Sequence, residues 1–306
     1  MLQFALHSFL LPIVGILLTV LYVRYVVKGD IGHGLPSVLL AISRNHSELP
    51  SKNMYTSLIA STLTVAFGGS VGLEAPIAST GSAIGSNVGR WLRLSPKNVR
   101  LLLGCGAAGA IAGIFKAPFA AIMFVLEVFL FDLTATTALP LLISSLTAAT
   151  VAYFLMGTEV QFSFTIDGQF ALSQLPFYAV LGVFCAAVSV YFLRVTDRVE
   201  GWFARCRNPW QRLLIGGLLL GVLVVLFPPL YGEGYSSLSL MLNNSEAEIP
   251  SLLGGRLAAS PWLLLLYFAF IMLFKVFATA FTNAGGGVGG TFGPTLVSGG
   301  LAGFVL

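Results

Sequence analysis

Apolar segments that approach the width of a bilayer, but are broken by glycine and proline, run through most of this sequence. Because lipid offers the backbone no hydrogen-bond partner, such segments fold as helices or as closed barrels. Several of them are shorter than the ~20 residues of a complete transmembrane helix. The pattern predicts an all-α polytopic membrane protein in which some helices end part-way through the membrane. The segments lie at residues 8–27, 54–67, 71–89, 101–130, 134–156, 173–193, 213–230, 261–284 and 288–306.

Composition and charge agree with a membrane protein and predict its orientation. Hydrophobic residues make up 57% of the chain and charged residues 9%, whereas about 25% of a soluble domain is charged. The net charge of +4 comes from basic residues clustered in two loops, which the positive-inside rule places in the cytoplasm. We expect an integral, multi-pass protein of the plasma (inner) membrane. The basic residues are Arg90, Arg93, Lys97 and Arg100 in one loop, and Arg194, Arg198, Arg205, Arg207 and Arg212 in the other.

No sequence pattern points to an enzyme, a cofactor or a metal site. Cys105, Cys185 and Cys206 are far apart and form no CxxC pair, and the histidines lack the spacing of metal ligands. GxSxG and P-loop patterns are also absent. The expected partners are membrane lipid and a small ligand, and we expect no binding to nucleic acid.

A short motif occurs twice, at residues 72–76 (GLEAP) and 290–294 (GTFGP), with the shared pattern G-x-[E/F]-[A/G]-P. A repeated short-helix signature in the two halves of a membrane protein is typical of an inverted repeat with a binding site near the midplane. We therefore assign residues 1–172 to a first half and 173–306 to a second. The same offset relates Gly81 and Gly85 to Gly299 and Gly303, although small residues at this spacing are also typical of helix packing.

The physical chemistry of this motif favours an anion site. Glycine allows close approach of the backbone, and proline fits the first turn of a helix, where its missing N–H costs nothing. The free N–H groups and the dipole of that turn attract anions. A third motif of this kind, GHGLP, lies at residues 32–36. We expect chloride or another small anion to bind among three helix starts.

Four ordered motifs make this sequence resemble the CLC family of chloride channels and chloride/proton exchangers. GHGLP at 32–36 looks like the family's GSGIP, VGLEAP at 71–76 like its GxEGP, and GGTFGP at 289–294 like its GGxFxP. GIFKAPFAAIMFVLE at 113–127 is similar to its GxFxxPxxGxxFxxE. The resemblance implies an inverted repeat with broken, re-entrant helices, and a homodimer. The family's pattern extends beyond both ends of this chain, so we expect a fragment that covers its middle portion.

The resemblance also implies roles for individual residues. Glu74 matches the gating glutamate, which occupies the anion pathway and moves or takes up a proton to admit an anion. Phe292 would line the central anion site with the neighbouring amides. The expected anion-binding positions are Gly32, His33, Gly34, Leu35 and Pro36 in the first motif, Gly72, Leu73 and Ala75 in the second, and Thr291, Phe292 and Gly293 in the third.

Two departures from the family motifs bear on function. His33 stands where the family usually has an anion-binding serine, which changes the expected selectivity. Val128 stands where exchangers usually carry a proton-transferring glutamate and channels an uncharged residue. Valine cannot carry a proton, so the sequence favours a passive CLC-type anion channel. An anion/proton antiporter with another proton route and a transport-inactive fragment remain as alternatives.

Two lysines, Lys116 and Lys275, lie within or beside apolar segments. Lysines near helix ends usually extend their amino groups to the membrane interface. We therefore expect both side chains to reach water and not to contact the anion site.

Overall fold

Short and long helices alternate in the computed structural model, which describes residues 2–29, 31, 34–132, 134–160, 162, 172–242 and 261–306. Within these residues the protein is helical and contains no β-strand beyond one isolated bridge. The helices are α1 (Leu2–Leu21), α2 (Leu35–Arg44), α3 (Thr56–Ala66), α4 (Glu74–Trp91), α5 (Pro96–Phe115), α6 (Pro118–Val128), α7 (Ala135–Met156), α8 (Leu175–Ala204), α9 (Pro209–Leu226), α10 (Tyr235–Leu242), α11 (Pro261–Ala284) and α12 (Phe292–Val305). A π-helical turn, Tyr22–Val27, extends α1.

The prediction of complete and interrupted membrane helices is confirmed. Six described helices are long and apolar enough to cross a bilayer, while α2, α6 and α12 are apolar but shorter. Proline lies within the first turn of each of these three helices, at Pro36, Pro118 and Pro294. Because proline lacks an N–H and fixes φ near its helical value, it favours a helix start at these points.

The two larger hydrophobic cores among the described residues each join several helices. One contains residues of α2, α4, α5, α6 and α7, all from the first half of the sequence. The other is formed mainly by α9, α11 and α12, and it also includes Ile16 of α1. Helix α1 thus packs with helices from the second half of the chain. The division between residues 172 and 173 stays a prediction.

Glycines bring α4 and α5 into backbone contact. A Cβ atom added at Gly81 would lie 2.7 Å from the Ala110 Cβ, and one added at Gly106 would lie 3.2 Å from the Gly85 N. Real Cβ atoms do not approach other atoms so closely without a shift of one partner, so glycine is required at this crossing. Gly81 and Gly85 therefore serve helix packing, as their spacing allows.

Gly106→Ala is expected to lower the stability of the protein by about 1–3 kcal/mol, the usual range for overpacking a tight interface. The added methyl group would press on the Gly81 backbone. Thermal unfolding in detergent measures this change. Gly113→Ala on the same helix is the matched control, because nothing lies within 4 Å of a Cβ at that position. Equal unfolding temperatures for the two variants would contradict the packing role of Gly106.

Candidate functional site

The two repeated motifs meet in the interior of the protein, where Gly72 and Gly290 are both buried. The Gly72 N–H donates to the Gly290 carbonyl at 2.9 Å, and the Gly290 N–H donates back to the Gly72 carbonyl at 2.8 Å. These two glycines occupy the same position in the two copies of the motif. Matched residues that bond to each other reciprocally are expected where a pseudo-two-fold axis passes between them. Helices α4 and α12 begin two residues later, at Glu74 and Phe292.

A third helix start lies against this pair. Gly34 precedes α2 with φ +69°, and a Cβ atom there would be 3.1 Å from the Ala75 Cβ. A Cβ atom at Gly290 would lie 2.6 Å from the same Ala75 methyl group. Ala75, in the first turn of α4, therefore contacts the start of α2 and the loop before α12. The starts of the three helices are adjacent, although Gly32 and His33 lie outside the described residues.

The Glu74 side chain is buried between α4 and α12, with 2% of its surface exposed. Its Oε1 accepts a hydrogen bond from the Tyr235 hydroxyl, and its Oε2 has no partner among the described residues. A Cβ atom at Gly293 would lie 2.9 Å from this Oε2. The carboxylate thus lies at the N-terminus of the opposite helix, where the helix dipole stabilises negative charge.

Aromatic rings connect Phe292 with Tyr235. Phe292 makes edge contacts with Phe124 at 5.4 Å and with Phe115 at 6.5 Å between ring centroids. Phe115 stacks on Phe162, whose ring meets Tyr235 edge-on at 5.2 Å. Phe115 and Phe124 are the two of the three phenylalanines at 113–127 that match the family pattern, so this pattern was the signal for their place beside Phe292. The positive edge of an aromatic ring is compatible with a nearby anion.

A loop segment from the second half of the chain, which no motif in the sequence indicated, contacts the start of α4. This segment, Gly232–Tyr235, has positive φ angles at Gly232 and Gly234. Glu233 Oε1 accepts a hydrogen bond from the Leu73 N–H at 2.9 Å, and Tyr235 donates to Glu74. Burial and the charge of Glu74 raise the pKa of Glu233 above its usual value. The only feature of the sequence that indicated this loop was Glu233, an acid between two glycines.

The prediction that Lys275 reaches the membrane interface is wrong. Lys275 lies in the interior of α11 with none of its surface exposed. Its Nζ donates to the Ser70 Oγ at 2.9 Å and to the Gly232 carbonyl at 2.8 Å. These polar partners, supplied by loops distant in sequence, replace the water that the amino group would otherwise need. Lys116 in contrast is half-buried at a helix end, where it donates to the carbonyls of Gly157 and Glu159.

Val128 is the last residue of α6 and belongs to none of the three helix starts of α2, α4 and α12. It is half-buried against the core of the first half, and its neighbour Glu127 is exposed. The roles assigned to Val128 and to the anion-binding residues stay predictions. In the parts of the chain that the structure describes, no three side chains of His, Cys, Asp or Glu are grouped as a metal site would require.

Comparison with known proteins identifies relatives along nearly the whole chain. A protein named as a ClcB-like chloride channel from Ralstonia nicotianae is 31% identical over 301 residues, which cover 97% of this chain and 66% of the relative. The chloride channel protein CLC-f of Arabidopsis thaliana is 27% identical over 290 residues, or 89% of this chain and 36% of the plant protein. This chain therefore spans no more than about two thirds of either relative.

Solved structures share the fold. The crystal structure of a CLC-type fluoride/proton antiporter has a TM-score of 0.72 and 26% identity, and the match covers 94% of this chain and 68% of the antiporter. The structure of a slow cyanobacterial Cl⁻/H⁺ antiporter has a TM-score of 0.76 and 22% identity, with coverage of 96% and 66%. Residues 14–306 match the family described as voltage gated chloride channel. The chain is an all-α, multi-pass membrane protein and belongs to this CLC family.

Proposed function

We propose that this protein carries a small inorganic anion, most simply chloride, across the membrane by a passive pathway that Glu74 gates. The observation that carries this proposal is the buried Glu74 carboxylate at the N-terminus of α12. The backbone groups that accommodate a carboxylate there would also accommodate a free anion once the side chain moves away. The site therefore fits alternate occupancy by the side chain and by the transported ion.

The anion-binding surface in this proposal is made mainly of backbone. It comprises the starts of α2, α4 and α12, including Gly34, Gly72 and Gly293, with the ring of Phe292 at its edge. A site of helix dipoles without a contacting lysine or arginine binds an anion weakly enough to release it. This weak binding suits conduction better than storage.

Val128 supports passive transport over proton-coupled transport. A valine at the end of α6 cannot take up and release protons, as a carboxylate at that position would. The second candidate is anion/proton antiport through another proton route. It is favoured by the structural likeness to the fluoride/proton antiporter, the relative with the higher identity of the two solved structures. This relative also makes fluoride the first anion to compare with chloride.

We further propose a homodimer in the plasma membrane, each subunit with its own pathway. The homodimer is inferred from membership of the CLC family. Chloride or a similar anion is the only ligand in this proposal, which includes no cofactor and no enzymatic activity.

Anion flux from proteoliposomes under an imposed pH gradient tests the function. We expect chloride to move down its own gradient without proton movement, because Val128 stands where an exchanger would carry its proton-transferring glutamate. Glu74→Ala is expected to remove the dependence of this flux on external pH, since no gating carboxylate remains. Ion-selective electrodes for chloride and fluoride, with a pH electrode in the same vessel, record both movements.

The opposing outcomes are distinct. If the pH gradient drives chloride or fluoride uphill, the protein is an antiporter and the passive proposal is wrong. A flux that Glu74→Ala leaves unchanged, or no flux for either anion, would contradict transport through this site.

A further inference from the structure

The Gly232–Tyr235 segment makes three contacts at or near the start of α4, and each involves a polar group. Lys275 donates to the Gly232 carbonyl, Glu233 accepts from the Leu73 N–H, and Tyr235 donates to Glu74. One short loop from the second half of the chain thus contacts both Glu74 and the residue before it. The family motifs considered above assign no role to this loop.

Glu233 and Glu74 differ in their access to water. Glu74 is 2% exposed, whereas Glu233 is only partly buried and lies in a loop between helices. Glu233 binds the N–H of Leu73, the residue immediately before Glu74. Its carboxylate therefore lies beside the same helix terminus as Glu74, but with a surface from which protons can come and go.

The titratable groups around Glu233 come from several elements. Glu74 faces it from α4 and Lys275 from α11, and both interact with its charge. Tyr235 adjoins it at the start of α10. His7 and Tyr231 line a cavity of about 440 Å³ that borders Gly234 on the side of α1. With all three groups ionised, Glu74, Glu233 and Lys275 would leave one negative charge in a poorly hydrated region, and one bound proton removes it.

Tyr235 does not supply that proton. Burial and the nearby Glu74 raise the pKa of the Tyr235 hydroxyl, so the hydroxyl stays protonated and continues to donate to Glu74. The Oε2 atom of Glu74 has no hydrogen-bond partner among the described residues. A carboxylate oxygen without a partner inside the protein is a place where a proton can be accepted.

We propose that Glu233 and Glu74 form one proton-binding pair at the gate, and that the more exposed Glu233 receives the proton from the outer solution. Glu233 follows the end of α9 that is opposite the basic loop assigned to the cytoplasm, so its loop is expected to face outward. A hydronium ion protonates the Glu233 carboxylate and leaves water. The O–H bond on Glu233 then breaks as one forms on Glu74, and Glu233 becomes ionised again. The neutral Glu74 is no longer held by the dipole of α12 and leaves the pathway to an anion. This inference rests on the proposed function, because it describes how that gate is opened.

The charge of Glu233 determines the direction in which its removal shifts the pH dependence of the gate. Two neighbouring acids that repel each other each favour protonation of the other. Removing the charge of Glu233 therefore makes it harder for the pair to bind its proton. More acid is then needed to open the gate.

The dependence of chloride efflux on external pH tests this inference in proteoliposomes. For the unmodified protein we expect efflux to rise as external pH falls. For Glu233→Gln we expect the midpoint of that rise to move about one pH unit to lower pH, the order expected from loss of a neighbouring like charge. Glu233→Asp keeps the acid and should retain a midpoint close to that of the unmodified protein. Glu159→Gln, at an exposed acid in another loop, is the matched control and should not move it.

The same Glu233 substitution, made in a Glu74→Gln variant, shows whether Glu233 acts through Glu74. In Glu74→Gln no gating carboxylate remains and flux should no longer depend on external pH, so adding Glu233→Gln should leave that flat pH profile unchanged. An unchanged midpoint in Glu233→Gln, or a shift that persists in the Glu74→Gln background, would overturn the inference while leaving the proposed function intact. Loss of flux at every pH in both Glu233→Gln and Glu233→Asp would assign Glu233 a structural role instead. Flux in the unmodified protein that Glu74→Gln does not alter would overturn the proposed function itself.

Discussion

Replacing Lys275 with methionine is expected to destabilise the protein by about 3–5 kcal/mol, the range found when one partner of a buried charged network is removed. Methionine fills similar space but cannot donate to the Gly232 carbonyl or to the Ser70 Oγ. Both acceptors would stay buried, and Glu74 and Glu233 would lose the basic group that offsets their charge. Thermal unfolding in detergent, combined with the yield of folded protein, measures the loss.

Lys97→Met is the control for this substitution. Lys97 is exposed near the start of α5, so the same change in side chain should alter stability by less than about 0.5 kcal/mol. If Lys275→Met unfolded at the same temperature as Lys97→Met, the network around Gly232 would not contribute to the fold.

Gly290→Ala is expected to reduce anion flux by about tenfold or more, because a change of only about 1.4 kcal/mol at a site has this effect on an equilibrium constant. The new methyl group would lie 2.6 Å from the Ala75 methyl and would push α12 away from α4. The Glu74 carboxylate would then no longer face the α12 terminus. Chloride and fluoride efflux from proteoliposomes measures the effect.

Helix α12 also supplies the control for Gly290→Ala. A Cβ atom at Gly299 meets nothing within 4 Å, and alanine favours a helix over glycine by about 1 kcal/mol. Gly299→Ala should therefore keep full flux and unfold at the same or a slightly higher temperature. Normal flux in Gly290→Ala would show that close contact at Ala75 is not required for transport.

The repeated motif predicted where two short helices begin, because its information is local. Glycine and proline determine where a helix starts, and the starts at Glu74 and Phe292 follow directly from GLEAP and GTFGP. The contact between the two motifs also follows from their repetition. These features need no knowledge of which distant residues pack against them.

The environment of Glu74 could not be predicted in the same way. Its hydrogen-bond donor, Tyr235, is 161 residues away and belongs to no motif that the sequence analysis considered. Lys275 was misassigned because the rule for membrane lysines assumes that water is the only available partner, whereas Ser70 and Gly232 provide two acceptors inside the protein. Burial and polar pairing depend on the assembled helices and have no local signature.

The reciprocal bonds between Gly72 and Gly290 have a mechanical consequence. Two backbone hydrogen bonds join the two copies of the repeated motif, and sliding one copy past the other would break both. Rotation of one motif copy against the other is restricted as well, because Ala75 fills the space beside Gly290. The Glu74 side chain, by contrast, could move without breaking either of these backbone bonds. Under the proposed function, we therefore expect the pathway to open by a swing of the Glu74 carboxylate and not by a rocking of two domains.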